Sequence, residues 1–269
     1  LELNYIPVNK KNFTWKINLN LTHYKNKITY LPDEKKTTVM DGHGGYMNGS
    51  RYYGEDLPIN TWYMKRFAGL SEDGLSLWYY TDKETNEEKT TTTYSTGDFY
   101  LCGDPNPDLY GGFGTSITFH GFDLSTQFSY LVGGLTYDYG YAGMMGNPTA
   151  TSVGNRWHKD VLKAWSPENP SSTIPRWYFN DLNTTGSSDR FLIDGSYLNL
   201  QNIQVGYTLP DSWTSHLKIK NLRLYFVCDN VYYWSKRKGL DPRRSISGVG
   251  TSGKIAPFRT YSGGISLQF

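Results

Sequence analysis

Aromatic side chains carry most of the binding chemistry this sequence offers. Its 269 residues include 23 Tyr, 12 Phe and 8 Trp. Several of them fall in stretches that read as loops: Tyr46, Tyr52, Tyr53, Tyr139, Tyr141, Trp157, Trp177 and Tyr178. A ring with a polar tip can stack on the apolar face of a sugar or peptide while its hydroxyl or indole N–H finds a hydrogen-bond partner. The same rings can equally pack a loop against itself, so both roles stand open.

Covalent and metal chemistry find less support. Ser, His and Asp are scattered, with no nucleophile motif and no carboxylate pair, so no catalytic residue is assigned. Asp41-Gly42-His43 lacks the spacing of a metal site, and no metal or other cofactor is expected. His158 and Asp160 fall in Arg156–Trp165, a short stretch that reads as helical, with Val161, Leu162 and Trp165 on one face. Cys102 and Cys228 form neither a disulfide framework nor a ligand cluster, and whether they pair stays open.

Charge excludes one class of partner. Lys and Arg number 27 against 25 Asp and Glu, which leaves no electrostatic case for nucleic acid. Mean hydropathy is −0.58, and no run approaches the roughly 18 apolar residues of a membrane helix. A membrane β-barrel remains open, because only alternate strand residues face lipid and long polar loops dilute the average. The chain opens at Leu1 in a stretch that already reads as strand, without a signal peptide.

The elements behind these loops alternate strictly. In Phe13–Thr22, apolar Phe13, Trp15, Ile17, Leu19 and Leu21 interleave with polar Thr14, Lys16, Asn18, Asn20 and Thr22. Ten such residues match the roughly 9–11 of a tilted transmembrane strand. Leu19 is then expected to face lipid, and Asn18, with Lys16, Asp123 and Arg223, a wet interior. Phe113–Phe119 and Phe122–Tyr130 repeat the pattern around a tight turn at Gly121. Ile203–Leu209 and Leu198–Leu200 have opposite parity, which predicts a bulge near Gln201. Leu222–Phe226 and Tyr261–Phe269 follow, and Leu1–Tyr5, Trp62–Phe67 and Leu75–Tyr80 are weaker strands.

Connections fall into two classes. Asn9–Asn12, Gly69–Gly74, Gly121 and Asp211–Lys218 are short; Lys25–Asn60, Thr81–Gly111, Gly133–Gly195 and Ser235–Pro257 are long. They alternate, so the long loops share one rim, which parity from Phe269 places outside the cell. Short periplasmic turns and long outer loops mark outer-membrane barrels. The aromatics Trp62, Tyr63, Trp78, Tyr79, Tyr80, Tyr232, Tyr233 and Trp234 then read as interfacial girdle, or as rings that stack on sugar or peptide inside the mouth. About nine strands are counted, and an odd number leaves the first and last running the same way, so closure calls for strands before Leu1.

Several strings resemble SusC/RagA-type TonB-linked outer-membrane transporters, in order and almost end to end. Asn12–Leu31 (NFTWKINLNLTHYKNKITYL) is similar to the family's strand and "NKIT-L" turn, and Gly103–Thr115 (GDPNPDLYGGFGT) to its "G-PNP-YYGGFG" segment. The hairpin Gly121–Gly134 follows. Trp165–Arg176 (WSPENPSSTIPR), Ser196–Pro210 (SYLNLQNIQVGYTLP), Lys238–Pro242 (KGLDP) and Pro257–Phe269 (PFRTYSGGISLQF) complete the series. Arg243 departs from it, standing where the family usually has an acid, and Phe258 interrupts a "YP" pair.

The resemblance implies an all-β transmembrane antiparallel β-barrel, of which residues 1–269 form the C-terminal portion of a wall of about 22 strands. The plug and earlier strands would lie outside this chain. It implies active import of a bulky glycan or peptide across the bacterial outer membrane. Its expected partners are a SusD-like surface lipoprotein and the TonB complex, reached through the absent N-terminal region.

Overall fold

Strict alternation over long stretches produces the largest element, a seven-stranded antiparallel meander. The computed structural model describes residues 1–149, 156–181, 186–244, 247–249 and 257–269. The wall strands are β1 (Glu2–Lys10), β2 (Phe13–Thr22), β3 (Leu109–Phe119), β4 (Phe122–Val132), β5 (Tyr197–Thr208), β6 (Asn221–Ser235) and β7 (Thr260–Gln268). Each pairs with the next in that order.

Register makes the two faces of this wall chemically opposite. Phe13, Phe119, Phe122, Tyr207, Leu224 and Ile265 stand in one row across β2–β7. Phe119, Phe122, Leu224 and Ile265 are exposed, a contiguous apolar surface of the kind that meets lipid. On the other face Asn4, Asn18, Gly114, Gln127, Asn202, Asp229 and Thr260 form a row through all seven strands. Its polarity suits water, and the Asn202 amide donates to Asp229 Oδ1 at 2.6 Å. The sequence alternation therefore sorts side chains between two solvents.

Turns and bulges fit the local chemistry. His120 (φ 47°) and Gly121 (φ 87°) both adopt left-handed backbone, the pairing a two-residue hairpin loop requires. His120 thus belongs to the turn rather than to the strand. Phe128 pairs with Leu200 while Gln127 pairs with Asn202, so Gln201 is extruded as the parity switch predicts.

Two expectations change. Trp62–Phe67 and Leu75–Tyr80 are strands, Thr61–Lys65 with Phe67–Leu70 and Ser76–Thr81, but none joins the wall. They belong to one insertion, residues 23–108, between β2 and β3. All five residues of Thr61–Lys65 are buried; the strand is too short and too enclosed to cross a bilayer. The wall count is seven, still odd. Removing one out-and-back pair leaves every remaining direction unchanged, so the three long insertions (23–108, 133–196 and 236–259) still share a rim. The girdle reading is corrected with it: Trp62, Tyr63 and Trp78 are buried away from the wall, and Tyr79 and Tyr80 lie on a strand of the same insertion. Tyr232 and Trp234, exposed near the rim end of β6, remain suited to that role.

The insertions build a cap with its own core. Trp62, Met64, Tyr137, Met145 and Phe191 form a buried cluster, drawn from the first and second insertions. The Trp62 indole N–H donates to the Leu135 carbonyl at 3.2 Å. Arg51 ties in the third insertion through the Ser247 carbonyl. The helical reading of Arg156–Trp165 contracts to a 3-10 turn, Lys159–Lys163. Val161 packs on the core, Leu162 is exposed, and Trp165 lies over Gly74, so the three do not share one face.

Candidate functional site

The cap's aromatic and charged residues form the candidate solute-binding surface, and the fold sorts them by accessibility. Tyr46 and Tyr53 sit opposite each other on paired strands His43–Asn48 and Arg51–Gly54. Their rings stack at 5.2 Å with 15° between planes, and both remain half-buried. Tyr53 donates its hydroxyl to Asn60 Oδ1 at 3.0 Å. Between them in the sequence, Tyr52 points the opposite way. It is 0% exposed, with its hydroxyl 2.8 and 2.7 Å from the carbonyls of Thr38 and His43. Tyr52 is therefore a cap-core residue and offers no surface to a ligand.

Tyr139 and Tyr141 occupy the helix α1 (Tyr139–Met144), which begins where Asp138 caps it by accepting from Tyr141 N–H at 3.0 Å. An Asp at this position satisfies one of the orphan donors of the first turn. Tyr139 stays exposed, its ring 4.4 Å from Tyr137. Tyr141 is drawn inward. Its hydroxyl donates to Asp160 at 3.1 Å, its ring meets His158 edge-on, and burial pushes its phenol pKa up.

Trp157, Trp177 and Tyr178 make the most open group. The two indoles lie 5.4 Å apart and nearly perpendicular. Both N–H groups donate to the Gly146 carbonyl, at 3.0 and 3.3 Å, so their polar edges are spent on the protein. Each keeps 38% of its surface exposed, and Tyr178 keeps 63%. Arg176 lies over the Tyr178 ring at 5.4 Å.

Charged residues to which the sequence assigned no site role organise the space between insertions. Asp138 meets Arg237 at 2.5 Å, and Asp241 meets Arg243 at 2.8 Å. The two carboxylates are 3% and 5% exposed, so each would be costly to leave unpaired. With His158 and Met144 they bound a cavity of about 310 Å³. Arg243 also donates to Asn199 Oδ1 at 2.7 Å and covers Tyr233, which places Tyr233 on the interior face rather than in the girdle. The departure at Arg243 thereby acquires a structural role: it clamps the Lys238–Pro242 turn to β5.

Elsewhere in the cap, cations rest on rings and carbonyls. Arg51 lies over Trp62 at 3.1 Å, and burial lowers its pKa to about 10. Lys65, only 4% exposed, donates to the carbonyls of Tyr94, Ser95 and Gly97. Arg190 lies 5.3 and 5.0 Å from the ring centroids of Phe67 and Phe191. Of these, only Arg243 was singled out in the sequence, as a departure from the family's strings; Asp138 and Arg237, its partner in the buried pair, stand 99 positions apart.

Cys102 and Cys228 are both free thiols. Burial pushes Cys102 up to about 11. His43 contacts the Glu55 carbonyl through Nδ1 at 2.8 Å, and Asp41 and Gly42 form the adjoining hairpin turn. Among the described residues no group of three His, Cys, Asp or Glu is placed to hold a metal ion. The arrangement can stack, hydrogen-bond and attract charge.

No family model matches the chain. It is 28% identical over 297 residues to the TonB-dependent receptor P3 of Formosa agariphila, covering 99% of this chain and 28% of that protein. It is 26% identical to the TonB-dependent receptor SusC of Bacteroides thetaiotaomicron, covering 99% of this chain and 26% of the relative. The chain thus spans little more than a quarter of the curated relatives' length. Among solved structures, the RagAB peptide transporter matches with a TM-score of 0.79 at 22% identity, over 100% of this chain and 28% of that one. The RagAB importer in its open-open state gives 0.78 at 23% identity, over 100% and 28%. These likenesses show the fold.

Proposed function

From the resemblance of this chain, over nearly its whole length, to SusC/RagA-type TonB-dependent receptors, we propose that it forms part of the conduit wall and outer cap of an active importer in the bacterial outer membrane. The observation that carries this reading is the wall itself. Its exposed aromatic and aliphatic row faces opposite a row of Asn, Gln and Asp, and all three long insertions rise from one rim. A soluble sheet of this size would cover its apolar face with a second layer; here that face is left for lipid.

The solute is a bulky glycan or peptide. Both present apolar faces to Tyr46, Tyr53, Tyr139, Trp157, Trp177 and Tyr178, and polar edges to the cap's amides and charges. A SusD-like surface lipoprotein closes over the cap, and the TonB complex supplies energy through a region outside this chain. The protein moves its solute without altering it.

Uptake of labelled oligosaccharides and peptides by cells carrying the intact gene tests the proposal, with TonB and the neighbouring lipoprotein removed in turn. Import should stop without TonB and weaken without the lipoprotein. Entry that persists without TonB would replace the reading with a passive channel, and conversion of the solute by purified protein would replace it with an enzyme.

A further inference from the structure

Arg190 and Arg176 differ from the other described arginines that rest on aromatic rings in the cap: neither side chain has a hydrogen bond or ion pair among the described residues, and Arg176, over Tyr178, has its Nε enclosed. Arg66 faces Glu88, Arg237 faces Asp138 and Arg243 faces Asp241, while Arg51 donates to the carbonyls of Asn60 and Ser247. Arg190, in the 3-10 turn Asp189–Phe191, has ring contacts with Phe67 and Phe191 and no hydrogen bond or ion pair among the described residues.

Its neighbours do not supply the missing anion. The Asp189 carboxylate accepts from the Phe67 backbone N–H at 2.8 Å, and the cation it feels is Arg66. The groups that support the Arg190 charge are the phenols of Tyr141 and Tyr137, and burial outweighs them, lowering its pKa to about 10. The guanidinium is nevertheless not sealed off. Arg190 is half-buried, and none of its atoms is among the enclosed polar atoms without a partner.

A cation stripped of water and left unpaired is costly. An apolar side chain would pack against the two phenyl rings without that cost. What a guanidinium adds is a planar fork of donors whose geometry matches a carboxylate. We propose that Arg190 receives a carboxylate of the imported solute, so that the cap selects acidic ligands: a peptide through its C-terminus or a glycan through a uronic-acid residue. This rests on the import reading and narrows its solute class.

The test uses the complete protein with its lipoprotein partner and two matched probe pairs. One pair is an oligogalacturonide and a neutral oligogalactoside of equal length; the other is a peptide with a free C-terminal carboxylate and its C-terminal amide. Binding is measured calorimetrically for the parent, Arg190→Gln and Arg190→Lys, each checked for folding by heat-modifiable gel mobility. At least one acid should outbind its neutral twin. Arg190→Gln should remove that advantage, weakening the acid roughly 10- to 100-fold, with Arg190→Lys between and the neutral twin unchanged. Which pair responds identifies the source of the carboxylate. Should Arg190→Gln fail to fold, a weakened acid probe with Arg190→Lys supports the proposal, because charge is kept and only the fork is lost. Absence of acid preference in the parent, or equal weakening of both twins, overturns it. TonB-dependent uptake is scored separately, so acid binding without import sinks the transport reading while leaving Arg190's role standing.

Discussion

Arg223 reaches diagonally across Gly206 to grip Asp123, with Nε 3.0 Å from Oδ1 and Nη2 2.6 Å from Oδ2. The pair spans β4 to β6 over the one position of β5 that has no side chain. A Cβ at Gly206 would lie 2.4 Å from Asp123 Oδ1 and 2.5 Å from Arg223 Nη2. Gly206→Ala is therefore expected to separate the pair while sparing the backbone register. Both partners are part-exposed, so the coupling should be modest, about 1 kcal/mol. A double-mutant cycle with Asp123→Asn and Arg223→Gln should show it in the parent and lose it in the Gly206→Ala background.

Leu19 and Asn18 test the two faces of the wall. Leu19 pairs with Phe113 on the apolar face, and Asn18 with Gly114 on the polar one. Leu19→Lys should cost roughly 2–4 kcal/mol in lipid, whereas Asn18→Lys should be tolerated. Folded yield from cells measures both, and equal damage would contradict the assignment.

Trp62 tests the cap. It is fully buried between the first and second insertions, so Trp62→Ala should cost the cap about 3–5 kcal/mol. Protease should then cut the cap freely while the strands retain heat-resistant mobility on gels. A wall that unfolds together with the cap would show the two to be one cooperative unit.

Ser171 tests sidedness. It is exposed in the second insertion, which is expected to lie outside the cell if Phe269 ends its strand at the periplasmic side. Ser171→Cys should react on intact cells with a membrane-impermeant maleimide. Cys102 should stay silent at neutral pH, because its thiol is pushed to about 11 and the thiolate is the reactive form. Labelling of Ser171→Cys only after the outer membrane is opened, in cells lacking the lipoprotein, would invert the topology.

The wall was legible in the sequence because lipid and water impose a two-residue period over ten or more residues. Phe13–Thr22 matches its strand end to end, and the parity switch at Gln201 located a bulge. Legibility ended at the rim. Trp62–Phe67 reads as one strand and is the end of Thr61–Lys65 with the start of Phe67–Leu70, but nothing in five buried residues distinguishes a wall strand from a cap strand except insufficient length. Tyr52 and Tyr53 are adjacent and chemically alike, and only the pairing of their hairpin decides that one is buried and the other half-open. Arg190 gave no signal at all, because being unpaired is a property of its surroundings.

The clustered hydrophobic core of this chain lies in the cap, while the wall's own apolar residues point outward. The two parts accordingly answer to different surroundings. Denaturant dissolved in water acts on the cap directly, whereas the wall is governed by the thickness and chemistry of the hydrocarbon around it. Heating the protein in detergent should therefore give two transitions, of which changing the detergent's chain length shifts one. The folding of the cap is in this way insulated from the composition of the membrane around the wall.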